Sequence, residues 1–128
     1  MRFVLNMMLA LMLPQAAIAQ ALTPMSGEVK TYTQTFALQL KAFNPYGTAQ
    51  KFSIKVLDEN GADAPEIEIT APHMSLPPHE TGAFYVWGDA GAHKQITVCV
   101  TSQYVFNGVG AQIRGEVCGK YDITRLGR

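Results

Sequence analysis

Residues 36–61 read Phe-Ala-Leu-Gln-Leu-Lys-Ala-Phe-Asn-Pro-Tyr-Gly-Thr-Ala-Gln-Lys-Phe-Ser-Ile-Lys-Val-Leu-Asp-Glu-Asn-Gly. Phe36, Leu38, Leu40 and Ala42 share one parity, and Gln39 and Lys41 the other. Apolar and polar residues alternating in this way mark a half-buried strand, not a helix. Asn44-Pro45-Tyr46-Gly47 ends that strand, because proline cannot donate to a ladder and glycine accepts turn angles. A second strand, Lys51 to Leu57, sets Phe52, Ile54 and Val56 against Lys51, Ser53 and Lys55. Asp58-Glu59-Asn60-Gly61 then turns the chain.

The same grammar extends outward. Gly27–Thr33 reads as a first edge strand, and Glu66–Thr70 as a short one with Ile67 and Ile69 on one face. Ala71–Thr81 carries Pro72, Pro77 and Pro78 and reads as a loop. Gly82–Trp87, Lys94–Gln103 and Ile113–Tyr121 complete seven expected strands. Seven short strands with turns every ten or so residues predict an all-β, antiparallel sandwich of two packed sheets.

The start of the 128-residue chain reads as an export signal. Arg2 is a positive n-region, Phe3 to Leu13 is apolar apart from Asn6, and Ala17-Ile18-Ala19 offers the small residues that signal peptidase admits. Cleavage is expected after Ala19, with a second option after Ala21. The organisation expected is thus a signal peptide over 1–19 and one sandwich domain over 20–128. An apolar run of this length is too short to span a bilayer, so the mature chain is expected to be periplasmic or secreted, with no membrane span. Residues 20–128 hold nine Lys and Arg against ten Asp and Glu. A chain so balanced, with no basic cluster, lacks the electrostatic footprint of a nucleic-acid binder.

Cys99 and Cys118 are the two cysteines. An even count in an exported chain favours a disulfide. Parity sets Cys99 with Thr97 and Thr101, opposite Ile96, Val98 and Val100, and sets Cys118 with Arg114, Glu116 and Lys120. Both therefore belong to the outward face. If Asn107-Gly108-Val109-Gly110 is the loop of the last hairpin, Phe106 pairs with Ala111 and paired positions sum to 217. Cys99 and Cys118 give the same sum, so the loop and the cysteines choose one register. The expectation is a cross-strand disulfide on the outer face of that hairpin.

The strand ending in Asn44-Pro45, the strand Phe52-Ser53-Ile54-Lys55-Val56, the Asp58-Glu59-Asn60-Gly61 turn, the Leu76-Pro77-Pro78-His79-Glu80-Thr81 loop and the strand Ala83-Phe84-Tyr85-Val86 together resemble the N-terminal immunoglobulin-like domain of periplasmic pilus chaperones. The resemblance covers about residues 26–101. It implies an immunoglobulin-like sandwich and a habit of strand-mediated binding. A chain of this length is expected to lack such a chaperone's second domain, and Lys30 is the only basic residue near the first strand.

No catalytic set or cofactor motif is legible. Ser26, Ser53, Ser75 and Ser102 lack a nucleophile-elbow context. Glu66 and Glu68 read as a solvated outer face. His73, His79 and His93 read as exposed loop histidines. The alternative is a copper carrier in which His73, Met74 and His79 converge, as soft and imidazole ligands suit copper. Tyr85, Trp87, Tyr104 and Phe106 are the candidate partner surface. The function expected is non-enzymatic: a module binding a protein partner in the cell envelope, chaperone-like or an assembly accessory. A subunit that self-associates through the last hairpin is another reading. A carbohydrate-binding or enzymatic role is the weakest.

Overall fold

A computed structural model describes residues 22–105 and 112–127, with side chains over 22–102 and 115–127. Among these residues the chain forms nine strands: β1 (Leu22–Thr23), β2 (Ser26–Thr31), β3 (Thr35–Phe43), β4 (Gln50–Leu57), β5 (Glu68–Ile69), β6 (His73–Leu76), β7 (Thr81–Asp89), β8 (Gln95–Val105) and β9 (Gln112–Arg125). One sheet has the order β1-β3-β7-β5 and the other β2-β9-β8-β4-β6. The inner parities predicted for β3, β4, β7 and β8 are the buried ones: Phe36, Leu40, Phe52, Ile54, Phe84, Val86, Ile96 and Val98 join one core between the sheets.

Two departures from the expected seven strands have local reasons. The proline-rich stretch 71–81 contains β6, which pairs with Gln50–Ser53 of β4. Pro72 and Pro77 flank it, and prolines at the ends of an edge strand remove donors that an edge does not need. Within 66–70 only Glu68–Ile69 is a strand, because the chain turns just before it, with Ile67 N–H donating to Ala64 O.

The largest topological departure is at the start. β1 pairs antiparallel with β3, the chain crosses at Pro24 and Met25, and β2 pairs parallel with β9. One short segment thereby joins both sheets. Tyr121, fully buried in β9, donates its hydroxyl hydrogen bond to Pro24 O and pins that crossing.

Asn44 explains why β3 ends where it does. It is fully buried. Its Nδ2 donates to Thr48 O (2.9 Å), Leu76 O (3.0 Å) and Pro77 O (3.0 Å), while Oδ1 accepts from Tyr46 N–H. One side chain thus stitches the β3–β4 loop to the β6–β7 loop. Asn44→Ala strips these carbonyls of a buried donor and is expected to lower stability by about 2–3 kcal/mol in urea denaturation.

The cysteines pair as the register argument requires. Cys99 faces Cys118 across β8 and β9, and Val105 faces Gln112, again summing to 217. The Cys99–Cys118 disulfide has a Cα–Cα distance of 4.1 Å. The expected Phe106–Ala111 pair lies outside the described residues. One correction is needed: Cys99 has outer-face parity but is only 1% exposed. β8 is a central strand, and Cys99 sits between Lys55 of β4 and the disulfide partner on β9.

Candidate functional site: the free edge of β9

β9 is longer than the strand beside it. On one side β8 pairs with Gln112 to Asp122. On the other, β2 pairs only with Lys120 to Arg125. Residues 112–119 therefore have no strand on that second side among the described residues.

The pairing alternation identifies which backbone groups face outward. In an antiparallel ladder the closely spaced Cα pairs are those that do not bond each other. At 4.1 Å, Cys99 and Cys118 form such a pair, so the Cys118 N–H and C=O point away from β8. Arg114 and Glu116 share its parity. Two bonds farther along confirm the phase. Ile123 N–H, of odd parity, donates to Lys94 O on the β8 side. Leu126 N–H, of even parity, donates to Thr31 O on the β2 side. Arg114, Glu116 and Cys118 thus present a row of N–H and C=O groups to whatever lies beside β9.

Native sheets usually blunt such a row with proline, a short strand or a cover. Elsewhere here they do. β5 is two residues long, β6 is capped by prolines, and β2 packs along β3, where Thr31 and Thr33 hydroxyls both donate to Thr35 O. The 112–119 stretch of β9 has no proline. Its Val117 is half-buried against the core. Glu116 is exposed, accepting from Thr101 Oγ1 at 3.1 Å and pairing with Lys55 at 3.6 Å. Beneath this end of the sandwich lie the buried polar residues Asn44, Gln50 and Ser102.

Two of the four candidate aromatics have described side chains. Tyr85 and Trp87 are exposed on the outer face of the first sheet, beside Gln39 and Ala37 of β3. Tyr104 belongs to β8 of the other sheet, and Phe106 lies outside the described residues. The candidate copper ligands lie on β6 and the turn after it. His73 and Met74 are consecutive in β6, so the pleat sends His73 to the exposed face and Met74 toward the core. His79 sits in the following turn with φ 59°. The only close trio of metal-type ligands among the described residues is Cys99, Glu116 and Cys118, and its two sulfurs are already joined to each other. Of the serines, Ser53 Oγ lies 3.4 Å from His73 Nδ1 on an open face, and Ser102 is buried.

His93 corrects the expectation of exposure. It is 5% exposed, with Nε2 2.8 Å from Glu66 Oε1 and Nδ1 3.6 Å from Glu59 Oε1. Glu66 is therefore a loop anchor, not part of a solvated strand face. Glu59 also accepts from Lys94 N–H at 2.7 Å and Gln95 N–H at 3.3 Å. Backbone donors, its own N–H first, hold its carboxyl below the ordinary range against the opposing effect of burial, and His93 adds to them. A depressed carboxyl contributes stability that is complete above its unfolded value and lost as pH falls through the folded one. Glu59→Gln is thus expected to lower Tm at neutral pH and to converge with the native protein as pH falls below about 4, which flattens the acid side of the Tm–pH profile.

No protein-family model matches this sequence, and no curated protein sequence does. Solved structures do resemble it. The Salmonella enterica SafA pilin–SafB chaperone complex matches with TM-score 0.67 at 12% identity, over 81% of this chain and 53% of that one. The E. coli chaperone DraB matches with TM-score 0.64 at 13% identity, also over 81% and 53%. The fold is the immunoglobulin-like sandwich of the pilus chaperones. This chaperone-like sandwich spans about half the length of the chaperones it matches. It covers nearly all of another neighbour, the Caenorhabditis elegans MSP-domain protein SSP-19, at TM-score 0.60, 17% identity and 98% of that chain. No helix among the described residues is long and apolar enough to cross a membrane.

Proposed function

We propose that this protein is a non-enzymatic binding module of the bacterial cell envelope, chaperone-like in action, that captures an extended segment of another protein on the free edge of β9. The observation that carries the reading is the 112–119 backbone, unpaired on its second side among the described residues, with the outward groups of Arg114, Glu116 and Cys118 in one row. Strand addition draws its affinity from such main-chain bonds and its selectivity from alternate side chains. The fold supports the reading, since SafB was solved with a pilin subunit. An export signal over residues 1–19 would deliver the mature chain to the periplasm, where the disulfide persists. The exposed Tyr85–Trp87 pair offers a second, accessory contact.

Proline at 116 tests this directly. Glu116→Pro deletes one outward N–H and leaves the bonds to β8 in place, and Gly115 before it has no Cβ to clash with the ring. Glu116→Ala removes the same side chain but keeps the N–H. In-cell crosslinking with a C-terminally tagged copy is expected to recover a dominant envelope partner from the native and Glu116→Ala proteins. Glu116→Pro is expected to recover at least about tenfold less, as one lost and sterically blocked hydrogen bond implies. Equal recovery by the proline variant would refute strand addition at β9.

A further inference from the structure

β9 contains two glycines on its inward parity, and only one is required by the fold. At Gly119 a β-carbon would lie 2.6 Å from Met25 O and 2.5 Å from the Tyr121 hydroxyl, so no side chain fits. At Gly115 a β-carbon would meet, among the described residues, only Ser102 Oγ at 3.4 Å and the Tyr46 hydroxyl at 3.7 Å, which is ordinary contact. A glycine inside a strand weakens it through lost entropy and packing. Neither the backbone angles nor the neighbours of Gly115 call for one.

Its position supplies a reason. Gly115 pairs with Ser102 of β8. By the alternation worked out above, this is a hydrogen-bonded pair. On its free side Gly115 is therefore a non-bonded position, where an added antiparallel strand brings its Cα closest. A strand glycine at an open edge is compensated by an aromatic cross-strand neighbour lying over it.

We propose that Gly115 is the specificity-determining position of the capture edge, and that the captured strand places an aromatic side chain over it. This rests on the assignment of β9 as the binding edge. The test uses two labelled peptides of about nine residues, alternating threonine and valine, that differ only in whether the central valine is replaced by phenylalanine or by alanine. Binding is followed by fluorescence anisotropy. The native protein is expected to prefer the phenylalanine peptide by about tenfold. Gly115→Val is expected to erase that preference with an equal or higher Tm, and Glu116→Pro to abolish binding of both peptides. If both bind equally to the native protein, or the preference survives in Gly115→Val, the inference about Gly115 is wrong while the edge assignment stands. A lower Tm for Gly115→Val would show that the fold itself requires the glycine and would overturn the inference too. If neither peptide binds, the edge assignment falls and the Gly115 inference with it.

Discussion

Tyr121→Ala is expected to lower the unfolding free energy by about 3–5 kcal/mol. Tyr121 heads the fully buried side chains by volume. Its ring fills the place where β1 leaves one sheet and β2 enters the other, and its hydroxyl holds Pro24 O. Truncation therefore opens a cavity and also frees the crossing segment that joins β1 to β2. Tyr121→Phe separates the two contributions, since it keeps the ring and loses the hydrogen bond, with an expected cost of about 1 kcal/mol. Burial also pushes the Tyr121 hydroxyl up to about 12. A folded value above the unfolded one means stability that is complete below about pH 10 and lost as pH rises from there through 12. Native protein should lose stability over that window more steeply than Tyr121→Phe in urea denaturation at pH 9 and pH 11. Parallel curves would show that the phenol is not desolvated.

Reduction of Cys99–Cys118 is expected to cost about 3 kcal/mol, less any strain released, because an open hairpin gains chain entropy in the unfolded state. The bond joins residues 19 apart. It clasps β9 to β8 inside the 112–119 stretch that β2 does not reach, so that among the described residues this part of β9 has one strand neighbour. The consequence is local as well as global. In Cys99→Ala/Cys118→Ala, amide hydrogens of 112–119 should exchange faster than those of 120–125, which β2 still secures. Thermal melts with and without reductant measure the global term. A change under about 1 kcal/mol would mean that the ladder alone holds the hairpin.

Much of this was readable from residues 36–61 and their neighbours. Alternation is a property of adjacent residues, so Phe36 to Ala42 and Phe52 to Val56 declare their inner faces without reference to anything distant. The Asn44-Pro45 pair announces a strand end, although its three-carbonyl network could not be foreseen because Leu76 and Pro77 arrive from 32 and 33 positions away. The disulfide register was also legible, since hairpin parity and a turn between two strands are local. Only a comparison of the two faces could show Cys99 buried on the outer one.

What the chain alone determined is thus the longer strands, their inner faces, and the pairing register of the last two with its disulfide. What only the tertiary structure decided is which strand edges are satisfied. The parallel pairing of Ser26–Thr31 with Lys120–Arg125 joins segments more than ninety residues apart, and it leaves no mark on either sequence. The backbone of 112–119 that the described strands leave open is the remainder of that pairing, visible only as a difference between the lengths of two neighbours. His93 follows the same rule: its burial depends on Glu59 and Glu66 reaching it from another loop. The physical reason is common to all of them. Side-chain alternation is written residue by residue, whereas an edge is free or paired according to where the rest of the chain has gone.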